Sequence, residues 1–292
     1  MTEKKSSKAK KSGTACDQYV PWRLMPHIYR AVVVGAVRVS ICDEVESIDV
    51  DLIRRQHESL VRILRELDLH VIDVDLQGSY HTYLLLEKIA ISCNGIVFLP
   101  KPRTLAEEIS RELAKVLKHI LKSECSQVIV EQTNPVAKVC GSDVLFTGVE
   151  IIVGISDTTN EAGANELADA FSDFPVTAFK MPDGADHIKN YVTVAGDMVL
   201  TVGPSDLAKD IIDKIKRRAS RFYNIIEVAE DEAANCLFAN QTLIHQAIEE
   251  IPDSFKIFIE KSRNTRRSIC FSEFSKLRAG LTSVCILTKT VI

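Results

Sequence analysis

Eight cysteines and seven histidines are the side chains of this sequence best suited to act as nucleophiles, proton carriers or metal ligands. No two cysteines form a Cys-x-x-Cys pair, and the histidines are scattered singly, so neither a zinc ribbon nor a dithiol redox motif is expected. Several cysteines lie inside apolar stretches, which indicates reduced, buried thiols. The sequence therefore predicts no metal and no cofactor. The eight cysteines are Cys16, Cys42, Cys93, Cys125, Cys140, Cys236, Cys270 and Cys285.

Charge and hydropathy exclude several broad classes of function. Lys and Arg number 36 against 40 Asp and Glu, a formal charge of −4, so a basic nucleic-acid-binding surface over the whole chain is not expected. No apolar run approaches the roughly 20 residues of a membrane-spanning helix. The first residues are Lys-rich and carry no secretory signal. These features predict a cytoplasmic protein that binds neither nucleic acid nor membrane.

The elements that would hold a site recur in a unit of strand, turn, strand, helix and strand, about five times with a period of roughly 50 residues. In the first unit, Ala31–Ile41 is a Val-rich buried strand, Asp51–Glu66 an amphipathic helix and His70–Leu76 an alternating strand. Neither G-x-G-x-x-G nor G-x-x-x-x-G-K-[ST] occurs. A doubly wound nucleotide-binding sheet is therefore a poor fit. The pattern favours an α/β fold with five units in a ring around a central axis.

The later units are predicted to open with long first strands. These strands cover Tyr83–Cys93, Ser142–Thr147 and His187–Ala195, and each leads into a hairpin turn. The last predicted strand is Ser283–Thr288. On such a strand Ser283 and Cys285 would project from the same face, because side chains two residues apart point the same way.

Four segments carry a resemblance to a known family. Residues 139–154 read VCGSDVLFTGVEIIVG, 183–189 read DGADHIK, 233–245 contain AANC and LIH, and 273–284 read EFSKLRAGLTSV. Together they resemble the dimethylarginine dimethylaminohydrolase family, which belongs to the guanidine-modifying pentein superfamily. The resemblance runs from about Ala31 to Leu287. It implies a single-domain, five-fold pseudosymmetric ββαβ propeller at 19–292, after a polar, Lys-rich tail at 1–18 that is expected to be disordered.

The resemblance implies hydrolysis of methylated arginine to citrulline and a methylamine. In that chemistry a Cys thiolate attacks the guanidinium carbon, and a His protonates the leaving amine and then activates water. Carboxylates hold the guanidinium nitrogens and orient the carbon. The family's His is retained as His187, and Asp143 is retained in the substrate-binding set. The position of the nucleophile holds Ser283.

Most other positions that the resemblance assigns to substrate binding have changed. A substrate-contacting Asp aligns with Thr82, an acidic residue with Cys140, the Glu-Asp pair with Glu87-Lys88, and a carboxylate-binding Arg with Thr158. Lys88 would place a cation where the guanidinium cation must sit, which is unfavourable in a poorly solvated pocket. A Ser hydroxyl is also a far weaker nucleophile than a thiolate. Several departures around one pocket predict a pseudoenzyme.

Two interpretations stay open at this stage. In the first, the chain is a catalytically inactive family member that binds a protein or a small ligand, with a homodimer or a heterodimer with an active relative as candidate assemblies. Lys88 then favours an anionic or neutral ligand over a guanidinium. In the second, the chain is a divergent hydrolase of methylated arginine or a related amidine, in which Ser283, Cys285 or Cys140 acts with His187. A true dimethylargininase is least favoured, because no thiolate stands at the nucleophile position.

Overall fold

The computed structural model describes residues 27–37, 48–74, 85–101 and 107–289. The predicted tail at 1–18 and the predicted site residue Thr82 lie outside these ranges. Within them, no helix is both long enough and apolar enough to cross a membrane.

Five three-stranded sheets make up the described fold, and each has the same order. The first sheet contains β1 (Ala31–Gly35) and β2 (His70–Val74), which are connected through the helix α1 (Val50–Glu66). The second contains β3 (Ile91–Cys93), β4 (Ile96–Leu99), α2 (Glu107–Ser123) and β5 (Val128–Glu131). The third contains β6 (Val144–Phe146), β7 (Ile151–Ile155), α3 (Glu161–Ala170) and β8 (Val176–Lys180).

The last two sheets and the C-terminal strand repeat the pattern. The fourth sheet contains β9 (Val192–Gly196), β10 (Val199–Val202), α4 (Asp206–Arg218) and β11 (Asn224–Glu227). The fifth contains β12 (Leu237–Ala239), β13 (Thr242–Gln246), α5 (Pro252–Lys261) and β14 (Thr265–Ile269). A short helix, α6 (Ser272–Lys276), then leads to β15 (Cys285–Thr288), which is the third strand of the first sheet.

Every sheet combines an antiparallel pair with a parallel strand that is reached through a helix, and in four of the five sheets the antiparallel pair is a hairpin. In the first sheet, Ala31 of the central strand pairs with Thr288 of β15 in antiparallel register and with His70 of β2 in parallel register. The first and last parts of the described chain therefore share one sheet. The predicted mixed α/β class is confirmed, and the five sheets match the unit predicted from the sequence.

The helices form where the sequence supplies a cap and an apolar stripe. The carboxylate of Asp49 accepts hydrogen bonds from the backbone N–H of Asp51 at 3.0 Å and of Leu52 at 2.9 Å, and so caps α1. The side chain of Asn160 caps α3 in the same way. Along α1, Ile53, Leu60 and Leu64 are fully buried on one face. The helices α1 and α3 are thereby fixed at their first turns, and α1 is held by its apolar side.

The predicted first strands are wrong at their N-terminal ends. The structure has a 3-10 turn at Leu86–Lys88, at Gly141–Asp143 and at Ile188–Asn190, and the strands begin only after these turns. The predicted strand Ser283–Thr288 is wrong in the same way, since Ser283 lies in a turn and β15 begins at Cys285. Ser283 and Cys285 therefore do not share a strand face.

The strands were predicted to begin too early because a 3-10 turn and a strand can share one apolar run. A 3-10 turn satisfies its backbone through bonds between residues three apart, such as Ile89 N–H to Leu86 O at 3.2 Å and Asp143 N–H to Cys140 O at 3.0 Å. The turns contain buried apolar residues, including Leu86 and Ile188, so the apolar run of the strand extends back through them. Hydropathy alone cannot separate such a turn from the strand that follows it.

Candidate active site

The turns that precede several hairpins pack directly against one another. A Cβ atom added to Gly141 would lie 1.7 Å from the carbonyl oxygen of Glu87, so only glycine allows these two turns to approach. The backbone N–H of Glu87 donates to the carbonyl of Ser283 at 3.2 Å. The amide of Asn235 donates to the carbonyl of Lys189 at 3.1 Å and accepts from the N–H of Thr282 at 3.0 Å. Turns that lead into strands of all five sheets thus form one cluster.

Glu87 is the centre of a buried hydrogen-bond network in this cluster. Its Oε2 accepts from the ammonium of Lys189 at 2.9 Å. Its Oε1 accepts from the hydroxyl of Ser283 at 2.8 Å and from that of Ser142 at 3.0 Å. Burial raises the pKa of the Glu87 carboxyl, but the charge of Lys189 and these three hydrogen bonds outweigh it and hold the pKa below its ordinary value. Glu87 is therefore an ionised, fully occupied carboxylate.

The buried Asp143 and the half-buried His187 form a second pair. Oδ1 of Asp143 lies 2.9 Å from Nδ1 of His187, and Oδ2 accepts hydrogen bonds from the hydroxyls of Ser156, Thr158 and Thr159 at 2.7, 2.8 and 2.7 Å. Burial raises the pKa of Asp143, but the hydrogen bond and charge of His187 and the hydroxyl donors reverse the effect, so the pKa lies below its ordinary value. The carboxylate fixes the orientation of the imidazole, as in general acid–base sites.

The two cysteines near the cluster are held as thiols. Burial, with a smaller contribution from the charge of Asp143, raises the pKa of Cys140 to about 11. Burial, followed by the charge of Glu87, raises the pKa of Cys285 to about 12. A thiolate is the nucleophilic form of cysteine, and groups with such pKa values are almost entirely protonated at neutral pH. Both side chains are therefore thiols at neutral pH in the structure described.

A pocket of about 910 Å³ opens above the cluster. Its wall includes Lys88, Ser142, Thr158, His187, Arg278 and Ser283. Lys88 and His187 are half-buried, whereas the acidic side chains of the pocket, Asp157, Glu161, Asp183 and Asp186, are exposed. The deep part of the pocket therefore presents a cation, an imidazole and hydroxyls, and the acidic groups are confined to solvent-exposed positions.

The structure brings six of the seven sequence-predicted site residues into this region, and Thr82 is the one outside the described residues. Their assignment as site residues and their roles remain predictions. These six are Glu87, Lys88, Cys140, Asp143, His187 and Ser283.

Sequence reasoning missed Lys189 and Ser142, the two residues that complete the Glu87 network. Both lie within the segments that carry the family resemblance, each next to or two residues from a predicted site residue. The signal available in the sequence was therefore their place in these motifs. Their partner, Glu87, is 102 residues from Lys189 and 55 from Ser142 along the chain, a distance that no local pattern spans.

Comparison with known proteins gives a consistent set of relatives. No family model matches this sequence. The chain is 28% identical over 252 residues to the human protein named "Putative hydrolase DDAH2", which covers 84% of this chain and 87% of that one. The protein of the same name from Bos taurus is 27% identical over 252 residues, which again cover 84% of this chain and 87% of that one.

Solved structures with the same fold cover nearly the whole chain. A Cys-to-Ser variant of the dimethylarginine dimethylaminohydrolase from Pseudomonas aeruginosa, complexed with citrulline, aligns with a TM-score of 0.71 at 17% identity, over 89% of this chain and 99% of that one. A His-to-Gly variant of a dimethylarginine dimethylaminohydrolase, as an adduct with S-methyl-L-thiocitrulline, aligns with a TM-score of 0.73 at 16% identity, over 89% and 100%. The amidinotransferase SxtG from Microseira wollei aligns with a TM-score of 0.68 at 11% identity, over 91% and 95%.

Proposed function

We propose that this chain, a member of the dimethylarginine dimethylaminohydrolase family in the pentein superfamily, does not hydrolyse methylated arginine and instead binds a small carboxylate in the pocket. One observation carries the proposal. The hydroxyl of Ser283, at the position of the nucleophile, donates its hydrogen bond to Glu87, whose charge is already balanced by Lys189. We also infer that the five sheets surround a common axis as a propeller, which the packing of turns from all five sheets supports.

Among the described residues, the Ser283 hydroxyl contacts no base suited to activating it. A serine nucleophile requires a neighbouring group that takes its proton. Its hydrogen-bond acceptor, Glu87, has a pKa below the ordinary value for a carboxyl group and is therefore a weak base. His187 is bound to Asp143 through Nδ1, and the Ser283 hydroxyl points to Glu87. These contacts favour the loss of covalent catalysis.

The pocket is also poorly suited to a guanidinium cation. Glu87, the acidic residue retained from the family's Glu-Asp pair, is bound by Lys189 and two hydroxyls, so it has no free oxygen to offer. Lys88 lines the pocket next to these groups. A carboxylate would gain a charge-assisted hydrogen bond from Lys88, whereas a guanidinium would be repelled by it. The charge of the deep pocket therefore favours an anionic group.

A citrulline-release assay tests the loss of catalysis. Wild type, Ser283→Ala and His187→Ala would be incubated with asymmetric dimethylarginine and with arginine, beside an active family enzyme in the same buffer. We expect all three proteins to match the buffer blank. Turnover by wild type that both substitutions abolish would overturn the proposal and establish a divergent hydrolase that uses Ser283 and His187.

Ligand binding is tested separately with a panel of small carboxylates and amino acids. We expect at least one carboxylate to bind wild type and to bind Lys88→Glu roughly 10- to 100-fold more weakly, the range for loss of a charge-assisted hydrogen bond. Lys101→Glu, which changes an exposed lysine outside the pocket lining, is the matched control. Equal affinity of wild type and Lys88→Glu, or no binding by any carboxylate, would contradict the proposed ligand class and leave a protein partner as the occupant to seek.

The divergent hydrolase is the second candidate function, and one observation favours it. The Asp143–His187 pair is intact, with an oriented imidazole at the edge of the pocket. Such a pair supports general acid–base chemistry in active enzymes. The citrulline-release assay separates the two candidates, because only the hydrolase loses product formation on His187→Ala.

A further inference from the structure

Cys140, Asp143 and His187 place three different metal-binding atoms together. The thiol sulfur, a carboxylate oxygen and an imidazole nitrogen lie within 4.8 Å of one another. Cys140 and Asp143 are buried and His187 is half-buried, so the cluster is closed on one side and reaches the pocket on the other. The resemblance places an acidic residue at the position of Cys140, so the sulfur is particular to the pattern of this chain.

We propose that Cys140, Asp143 and His187 form a three-ligand site for a divalent transition-metal ion of the Zn²⁺ class, with the fourth position open to the pocket. Sulfur, nitrogen and carboxylate oxygen together are donors that suit Zn²⁺ and its close analogue Co²⁺. Three protein ligands with one open position are typical of zinc sites that bind a further ligand. This inference concerns a separate property of the chain and does not depend on the proposed carboxylate ligand or on the loss of catalysis.

Hydroxyl groups around Cys140 and Asp143 orient these two side chains, as residues behind the ligands do in metal sites. The second oxygen of Asp143 is bound by the hydroxyls of Ser156, Thr158 and Thr159, so the carboxylate is fixed with Oδ1 facing His187. The hydroxyl of Thr159 also accepts the N–H of Cys140 at 3.0 Å. One residue thus supports two of the three proposed ligands. Groups that orient ligating side chains in this way set ligand geometry and metal affinity.

The distances are close to those of an occupied site. Bond lengths of about 2.0–2.3 Å in a tetrahedral zinc site separate ligand atoms by about 3.3–3.6 Å. Nδ1 of His187 and Oδ1 of Asp143 are 2.9 Å apart, and no pair in the cluster exceeds 4.8 Å. The upper bound of 4.8 Å exceeds the tetrahedral separation by roughly 1.2 Å, so the donors must approach one another by at most about 1–1.5 Å for one ion to bind all three. Binding forms a sulfur–metal bond and releases the thiol proton of Cys140 to solvent.

One neighbouring charge opposes a cation at this site. Lys88 lies near enough to Cys140 to favour its thiolate form, and its ammonium also repels a metal ion. The metal gains three donors, two of them anionic when bound, against this one cation. Lys88→Gln is therefore expected to tighten metal binding, an effect opposite in sign to that of removing any proposed ligand.

The experiment uses the full chain, freed of metal by a chelator and then titrated with Co²⁺ and Zn²⁺. We expect one Co²⁺ per chain, with a thiolate-to-cobalt charge-transfer band in the near ultraviolet. Cys140→Ser should lose the band and bind Zn²⁺ at least 10-fold more weakly, and Thr159→Val should weaken binding roughly 10- to 100-fold. Cys270→Ser, which changes an exposed cysteine, is the matched control and should keep wild-type binding.

Two further results decide the proposal. His187→Ala alters a half-buried side chain and provides a ligand test that does not disturb a buried residue. Far-ultraviolet circular dichroism of each variant would confirm that it is folded. A charge-transfer band that persists in Cys140→Ser, unchanged Zn²⁺ affinity in His187→Ala, or no Co²⁺ binding by wild type would each overturn the three-ligand site.

Discussion

Replacing Lys189 by methionine removes the cation that balances the buried carboxylate of Glu87. The ammonium of Lys189 lies 2.9 Å from Oε2 of Glu87, and the two side chains are 17% and 6% exposed. Methionine keeps the length and apolar stem of lysine and deletes the charge. Glu87 would then keep only the hydroxyl donors Ser283 and Ser142.

The expected loss of stability at neutral pH is large. Leaving one member of a buried ion pair uncompensated costs about 3–5 kcal/mol. For a domain of this size that corresponds to a fall in Tm of roughly 10 °C. Lys115→Met is the matched control, because Lys115 and Glu112 form an exposed pair with 72% and 60% exposure. Removing such a surface pair is expected to cost about 0.5 kcal/mol or less.

The free energy of unfolding is expected to change with pH in opposite directions in wild type and in Lys189→Met. In wild type the folded pKa of Glu87 is below its ordinary value, so its stabilisation is complete above the ordinary unfolded pKa and is lost as pH falls through the folded pKa. Without Lys189, burial becomes the dominant influence and raises the folded pKa of Glu87. The variant should then be relatively most stable at acid pH and lose stability as pH rises through that raised pKa.

Urea unfolding of wild type, Lys189→Met and Lys115→Met between about pH 4 and pH 7 measures both effects. The double variant Glu87→Gln, Lys189→Met should recover part of the stability, because it removes the uncompensated charge. The reasoning is refuted if Lys189→Met costs no more than Lys115→Met at neutral pH. It is refuted equally if the stability lost in Lys189→Met is independent of pH, or if the double variant is less stable than Lys189→Met.

Three further outcomes are expected. Gly141→Ala should cost more than about 3 kcal/mol or abolish soluble expression, because its Cβ would overlap the carbonyl of Glu87 1.7 Å away; thermal unfolding measures this. Iodoacetamide at neutral pH should leave Cys285 unmodified in the folded chain while labelling the exposed Cys270 more readily, as read by peptide mass spectrometry. Tyr223→Phe should destabilise the chain by about 1–3 kcal/mol in urea unfolding, because the Tyr223 hydroxyl donates at 2.7 Å to the fully buried carboxylate of Glu150.

The element content of the fold could be predicted from the sequence because it is a local property. Apolar residues recur at a period of two in strands and near 3.6 in helices, and turn residues separate them. The helix predicted at Asp51–Glu66 lies at Val50–Glu66, and the strand predicted to begin at His70 does begin there. The boundaries failed at the 3-10 turns, where buried apolar residues such as Leu86 continue the pattern of the strand.

Residue types at the candidate site were also readable from the sequence. The family resemblance assigned Ser283 to the nucleophile position, Lys88 to a carboxylate position and His187 to the retained base. Their types alone argue against a thiolate mechanism, because a hydroxyl and an ammonium cannot perform the chemistry of a thiolate and a carboxylate. These conclusions required only correct placement of short segments.

Only the tertiary structure decided which groups contact one another. Ser283 donates to a carboxylate 196 positions away, and Lys189 neutralises the same carboxylate from 102 positions away. The grouping of Cys140 and Asp143 with His187 likewise joins two different turns. Sequence periodicity reports which face of an element is apolar, whereas these contacts depend on how turns from separate sheets pack together. The protonation states of Glu87 and Cys140 follow from that packing, because burial and neighbouring charges set them.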